Sequence, residues 1–402
     1  MIVPILILTA VAYSLTNSFI NPILVEVART FHVPVGVAGQ GRTVLSAAGA
    51  VAALAATFLA DRVPRRRQLL FGVGALGLAQ VGMGLTHAFA LWLILQAVAG
   101  VGSAVVGFAG TASAGDYFDE PTRGMAMGWI TTGYPIAWIL GLPLIGWIAD
   151  GWGWRTSYLV AGGGLAAAAF LGVLIGLPAP RHHAAPPMHY AAGWRVLLAQ
   201  PAARGWVLGE LLSTTAWSGF LVYVGAFFAL TYGLAPGRIG LVVSAAALSS
   251  VVGTTSSGWM GNRWGRRPVL LASTLLAAVL IVPALGLRLS PLGSLTLILP
   301  YYFVNSIRFP TSGTIALSLL PAAPGTMMAA RGLTITTGGM VGTILGGLLL
   351  ELAGFRAVGI VYALLALAGC AVFWRRIPRE TPAPALRLRS AVRSRPSGSP
   401  NA

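Results

Sequence analysis

Apolar runs long enough to cross a bilayer recur twelve times along this 402-residue chain, broken by short loops that carry Arg, Gly or Pro. They lie near 2–27, 37–60, 69–86, 91–115, 125–149, 157–177, 204–231, 239–260, 269–287, 294–320, 332–353 and 358–374. As helices, runs of roughly 20 apolar residues match the thickness of a hydrocarbon core. Composition closes off the soluble alternative. Only 9% of residues are charged and 56% are hydrophobic, with mean hydropathy +0.80; a water-facing surface needs roughly 25% charged residues. The expected fold is all-α and integral to the membrane, with no room in the loops for a soluble domain. The first run lacks a basic flank or a small-residue cleavage site, so it reads as an uncleaved first helix.

Arg supplies all 26 basic residues against nine acidic ones, for a formal net charge of +17. Sorted by loop, 19 Arg fall on the side that holds both termini and the 178–203 segment. Five, Arg29, Arg155, Arg238, Arg288 and Arg356, fall on the other side, and Arg42 and Arg308 lie within spans. The positive-inside rule then makes the 19-Arg side cytoplasmic. Charge scattered along loop edges forms no nucleic-acid face, so none is expected as a partner; the lipid bilayer is, including anionic lipid at the basic tail. His182, His183 and His189 lack the helical spacing and acid partners of a zinc site, so no metal is expected. The single Cys370 excludes an intrachain disulfide. No H-E-x-x-H, G-x-S-x-G, P-loop or paired intramembrane carboxylates occur, so neither an enzyme nor an ATP-driven pump is expected, and no cofactor.

The two halves repeat. Asp61-Arg62-Val63-Pro64-Arg65-Arg66 aligns with Asn262-Arg263-Trp264-Gly265-Arg266-Arg267 at an offset of 201. The same offset carries Gly141 to Gly342, Gly146 to Gly347, Asp150 to Glu351 and Arg155 to Arg356. The expected units are a six-helix bundle over 1–177, a linker over 178–203, a second bundle over 204–374 and a disordered tail over 375–402. Parallel repeats of this kind place a substrate site at the interface between halves.

The LADRVPRRR stretch at 59–67 resembles the cytoplasmic signature of the major facilitator superfamily, G-x-x-x-D-R-x-G-R-R, and GNRWGRR at 261–267 resembles its weaker second copy. RGMAMGW at 123–129, GLPLIG at 141–146 and GWR at 153–155 also resemble the superfamily, closest to its drug and sugar efflux, drug–proton antiporter-like branches. The resemblance implies the major facilitator fold, twelve transmembrane helices in two six-helix bundles around a cavity that opens alternately to each side. It implies a monomeric secondary transporter of a bacterial inner membrane, with both termini cytoplasmic. It assigns a cytoplasmic gate to Asp61, Arg62, Arg65 and Arg66, with Asn262, Arg263, Arg266 and Arg267 as the second copy. Three departures stand out: Pro64 replaces a Gly, Asn262 replaces an acid, and Gln96 stands where the antiporters carry an Arg associated with proton coupling. Gly338, Gly342 and Gly346 make a small helix face that matches Ala137 and Gly141 in the first half, with Gly146 also expected to pack helices closely, and Pro135 and Pro143 should bend the fifth span.

Ionisable residues within spans are costly, at least ~2.5–3.5 kcal/mol each at the helix centre. Three occur: Arg42, Glu210 and Arg308. At about 1.5 Å per residue, Arg308 lies about 18 Å and Glu210 about 9 Å from the cytoplasmic end, so pairing needs both side chains extended. Trp217 matches Arg308 in depth, with Asn17 and Asn305 nearby, and Arg42 is expected beside Asn21, Glu26 and Gln96. In the family, helices 1, 4, 7 and 10 line the cavity, which places Asn17, Gln96, Glu210, Trp217, Asn305 and Arg308 in a substrate and coupling site. Arg308 then contacts substrate or counter-ion and Glu210 takes the proton, or else the two form a structural pair. The expected activity is proton-coupled efflux of a small amphipathic compound. The alternatives are uptake or exchange of a small organic anion bound by Arg308, and a non-transporting receptor or lipid-handling protein on the same fold.

Overall fold

The computed structural model describes residues 2–59, 63–178, 190–321 and 323–379. All regular structure among them is helical. Asp61, Arg62 and the three linker histidines lie outside the described residues. The helices group into twelve rods. The first is Ile2–Ser18 continued, after a turn, by Leu24–Phe31; the next three are Val35–Leu59, Arg65–Leu85 and Phe89–Tyr117. The fifth runs from Glu120–Thr131 through Gly133–Ile136 to Leu142–Trp152, and the sixth from Trp154–Ser157 to Gly164–Gly176. A short helix, Tyr190–Ala199, precedes the second half. There the rods are Pro201–Tyr232, Pro236–Trp264, Arg266–Gly286 and Pro291–Leu319, then Pro324–Arg376, which Gly354 divides into the eleventh and twelfth. Eight of the described helices are long and apolar enough to cross a membrane. Leu78, Ile94, Leu140, Ile175, Leu241 and Leu352 stand exposed on their outer faces, which only lipid accommodates.

Helix ends follow local chemistry. Pro201, Pro236, Pro291 and Pro324 open their helices, where the missing N–H costs nothing. Gly153 and Gly354, one repeat apart, both take positive φ (82° and 73°) and turn the chain between rods. The motif copies differ here for a physical reason. Gly265 adopts φ +86°, but Pro64, at the matching position, is locked near −55°. The fifth span bends as expected: a π-helical turn, Ala137–Gly141, lies between Pro135 and Pro143.

The halves meet where the second rod packs on the eleventh and the fifth on the eighth. Glycine makes this approach feasible. A Cβ at Gly36 would collide with the Gly347 carbonyl, one at Gly146 with the Pro236 carbonyl, and one at Gly240 with the Leu142 carbonyl. The small face works within the second half instead: Gly338 and Gly342 sit against Thr214 and Thr215 of the seventh rod, and Gly346 against Tyr223 and Tyr362. Gly141 packs on Leu15.

Two carboxylates from the repeat close the end opposite the linker, the far end. Glu351 accepts a hydrogen bond from the Gly36 N–H (2.8 Å) and Asp150 from the Gly237 N–H (2.9 Å). Donors and acceptors are each one repeat apart, and both donors lie in the first turn of a helix in the opposite half. A carboxylate there is worth about 0.3–1 kcal/mol against the helix dipole. The double variant Asp150→Asn, Glu351→Gln is therefore expected to raise far-end opening about 3- to 30-fold. Spin-label distances across that end measure it. Among the described residues, the other cross-half hydrogen bonds (Asn21 to the Leu221 carbonyl, Tyr223 to Gly36, Ser244 to Ile139) also lie in the far half of the molecule, and none lies on the linker side. Among the described residues, the hydrogen bonds that join the halves thus lie toward the far end.

Candidate functional site

Glu210 and Arg308 meet inside the second half. Arg308 Nη1 donates to Glu210 Oε2 at 2.9 Å, with side chains 1% and 0% exposed. The sequence estimate of depth separated them too far because the seventh helix starts at Pro201 rather than 204. Counted from Pro201 and from Leu319, they lie about 14 and 17 Å in, close enough to touch. Ser312, one turn beyond Arg308, donates to the same Oε2 at 2.6 Å, and Trp206 Nε1 donates to Ser312 Oγ at 3.0 Å. Thr214 ties the Glu210 turn to the eleventh rod through the Glu210 and Thr334 carbonyls. Glu210 Oε1 and Arg308 Nε and Nη2 are buried without a hydrogen-bond partner among the described residues. An ion pair in so dry a place holds each charge by the other, and proton uptake by Glu210 would strand the guanidinium.

Above this pair the seventh and tenth rods present an aromatic wall. Trp217 stands edge-on to Tyr302 (5.0 Å between centroids) and beside Tyr301 (5.7 Å), and Phe220 closes on Tyr301 at 4.5 Å. Tyr301 and Tyr302 are buried, whereas Trp217 is half-exposed. Its position follows from spacing. Glu210, Thr214, Trp217 and Leu221 repeat along one helix face, and Leu221 accepts from Asn21 of the first rod. Trp217 therefore lies one turn nearer the linker end than the Asn21 contact. Asn305 turns inward, donating to the Tyr301 carbonyl of its own helix.

The first half supplies a second cluster. Arg42 Nη1 donates to the Asn17 carbonyl (2.6 Å) and to Asn17 Oδ1 (2.8 Å), and Asn17 Nδ2 donates to the Tyr13 carbonyl (2.8 Å). This corrects the expected neighbours: Asn21 reaches across to Leu221, and Glu26 pairs locally with Arg29 at 3.0 Å. Gln96 is buried and lines, with Arg42, Asn17, Gln80 and Tyr158, a cavity of about 10 Å³. Tyr13 packs edge-on against Tyr134, 5.8 Å away, and Trp129 is exposed.

The described part of the gate motif acts within each half. Arg65 pairs with Asp116 at 2.8 Å and covers the Phe108 ring. Arg66 donates to the Leu174 carbonyl at the end of the sixth rod, and Arg267, one repeat later, donates to the Trp374 and Ile377 carbonyls at the end of the twelfth. Asn262 and Arg266 are exposed, and Arg263 lies 6.0 Å from the Trp259 ring. Arg42 is an intramembrane charge that the sequence does not distinguish from Arg308. Asp150 and Glu351 were visible as a repeat pair, with no role attached.

Comparison with known proteins agrees with this architecture. The family model described as Major Facilitator Superfamily matches residues 6–235 and 206–397. The chain is 23% identical over 358 residues to the uncharacterized MFS-type transporter YceJ of Bacillus subtilis, covering 85% of this chain and 90% of that one. It is 28% identical over 317 residues to monocarboxylate transporter 13 of Bos taurus, covering 76% and 70%. A crystal structure of a bacterial homologue of the human lysosomal transporter Spinster, inward-facing and unoccupied, superposes with a TM-score of 0.77 at 14% identity, covering 95% of this chain and 98% of that one. Twelve helical rods in two repeated halves, and a family match across nearly the whole chain, make this protein a multi-pass membrane transporter of the major facilitator superfamily.

Proposed function

We propose that the protein carries a small organic monocarboxylate by alternating access, in symport with a proton taken up by Glu210. The observation that carries this reading is the dry Arg308–Glu210 pair with its unpartnered Oε1. Protonating Glu210 leaves Arg308 without its counter-charge, and an anion bound between the halves offsets the added positive charge. Proton and anion then load together and no net charge crosses. The charge count supports an anion. Arg42 and Arg308 lie within spans, and Arg331 of the eleventh rod lies within electrostatic reach of the pair, against Glu210 as the acid there among the described residues. The similarity to monocarboxylate transporters points the same way. In this reading the linker end faces the cytoplasm of a bacterial inner membrane and a monomer suffices; the Arg imbalance supports the orientation.

Export of an amphipathic compound in exchange for protons is a second reading, supported by the wall of Trp217, Phe220, Tyr301 and Tyr302. Proteoliposomes containing a pH-sensitive dye separate the two. Symport predicts acidification of the lumen when a monocarboxylate is added outside, unchanged when valinomycin and potassium clamp the potential. Proton movement opposite to the transported compound would overturn symport in favour of exchange. Glu210→Gln keeps an acceptor for Ser312 and removes the titrating group, so it should lose pH-driven accumulation while retaining exchange of labelled anion. Wild-type proton uptake in that variant would remove Glu210 from the mechanism.

A further inference from the structure

We infer that Arg42, held by Asn17, is the anchor for the substrate's anionic group, and that the substrate's apolar body lies between Tyr13 and Trp217. This rests on the anion reading above and locates the group that Arg308, buried in its own pair, does not meet in this conformation. Three observations converge.

First, Arg42 has no acid. The ion pairs among the described residues are Arg29–Glu26, Arg65–Asp116 and Arg308–Glu210, and no carboxylate lies within 4 Å of Arg42. A cation within a span normally faces a partner, a water-filled cavity or a ligand. Its one close partner, Asn17, is neutral and fixed, since its amide nitrogen is already committed to the Tyr13 carbonyl.

Second, Arg42 is half-buried and stands where the interior of the first half borders the second. Gly39 and Ser46, three residues before and four after it, approach Tyr223 and Gly339 of the second half, whereas Gly41 and Gly49 pack on Trp92 and Gly100 of the fourth rod. Asn17 and Trp217 each lie one turn to the linker side of the Asn21–Leu221 hydrogen bond, and so at a similar depth. Tyr13, one further turn toward the linker end, packs against Tyr134.

Third, the polar groups behind Arg42 cannot be the ligand site themselves. The cavity there, about 10 Å³, has room for about one water and no organic anion. Its walls include Gln80 Oε1 and the Tyr158 hydroxyl, both buried and without a partner among the described residues. The remaining approach is from the cleft, where a carboxylate meets Arg42 and a flat apolar body meets the aromatic rings.

Benzoate is the probe, with benzamide as its neutral counterpart. In proteoliposomes at equal pH on both sides, the wild type should show saturable counterflow of labelled benzoate that benzamide does not inhibit. Arg42→Gln should raise the half-saturating benzoate concentration about 10- to 150-fold, the range for losing a charged hydrogen bond. Arg42→Lys should fall between, because the charge stays and the fork geometry goes. Tryptophan fluorescence melting of Arg42→Gln, matching wild type, shows that folding is intact; Arg42→Lys carries the test if it does not. Wild-type half-saturation in Arg42→Gln, or equal inhibition by benzamide, overturns the anchor. Failure of the coupling reading is distinct: Glu210→Gln would then still acidify the lumen, whatever Arg42 does. Absence of any benzoate counterflow in the wild type overturns the anchor and the anion class together.

Discussion

Arg308→Ala should destabilise the protein by about 3–5 kcal/mol, the cost of leaving a buried charge without its partner. Glu210 is shielded from water in this conformation: it is 0% exposed, its Oε2 accepts from Arg308 and Ser312, and its Oε1 has no hydrogen-bond partner among the described residues. Once the guanidinium is gone, the buried carboxylate keeps only the Ser312 hydroxyl as a partner. The variant should therefore melt well below wild type in detergent. Glu210→Gln should be milder, because the amide still accepts from Ser312. The double variant Arg308→Met, Glu210→Leu should regain most of the stability, as apolar replacement of a buried pair often does, while transport stays at background. A single Arg308→Ala that melts like wild type would show that the pair is not dry in the membrane. Recovery of transport in the double variant would remove the pair from coupling.

Gly146→Leu should hold the far end open. Gly146 faces the Pro236 carbonyl and the Gly237 Cα across the junction of the fifth and eighth rods, and even a Cβ collides there. These are backbone atoms at a helix start, so nothing nearby can rotate away. Overpacking of this kind costs about 1–3 kcal/mol. That cost falls only on the closed arrangement, so the ratio of open to closed should rise about 5- to 150-fold. Gly36→Leu, against the Gly347 carbonyl and the Glu351 side chain, should do the same at the symmetry-related junction. Gly151→Ala is the control: one turn further along, it faces open space. Spin labels at the far ends of the fifth and eighth rods should show a longer distance in Gly146→Leu and none in the control. Net transport should fall sharply, because each cycle must pass through the far-closed state. Unchanged distances in both glycine variants would mean that the rods slide rather than separate.

How much of this was legible depends on the kind of information. Pro135 and Pro143 announced the bend of the fifth span, because a missing N–H acts within one turn of chain. The offset of 201 paired Asp150 with Glu351 and Gly146 with Gly347, because a repeat is a property of the sequence itself. The role of the two carboxylates was not legible. Each acts on an N–H that is 87 or 315 residues away, on the other half. The Glu210–Arg308 contact failed differently: three residues of error at the start of the seventh helix moved Glu210 about 4.5 Å along the axis. Pro201 at the helix start was the correcting signal.

The sequence by itself determined the solvent, the number of spans, the repeat and the family. All of these are sums over many residues, so a few misplaced boundaries leave them unchanged. Tertiary structure alone decided which charges are spoken for. Arg308 and Arg42 look alike along the chain, each a lone cation in an apolar run. Folding gives Arg308 a carboxylate from a helix 98 residues away and gives Arg42 only a neutral amide. In a medium that cannot solvate ions, that difference separates a sealed pair from a cation that still needs an anion.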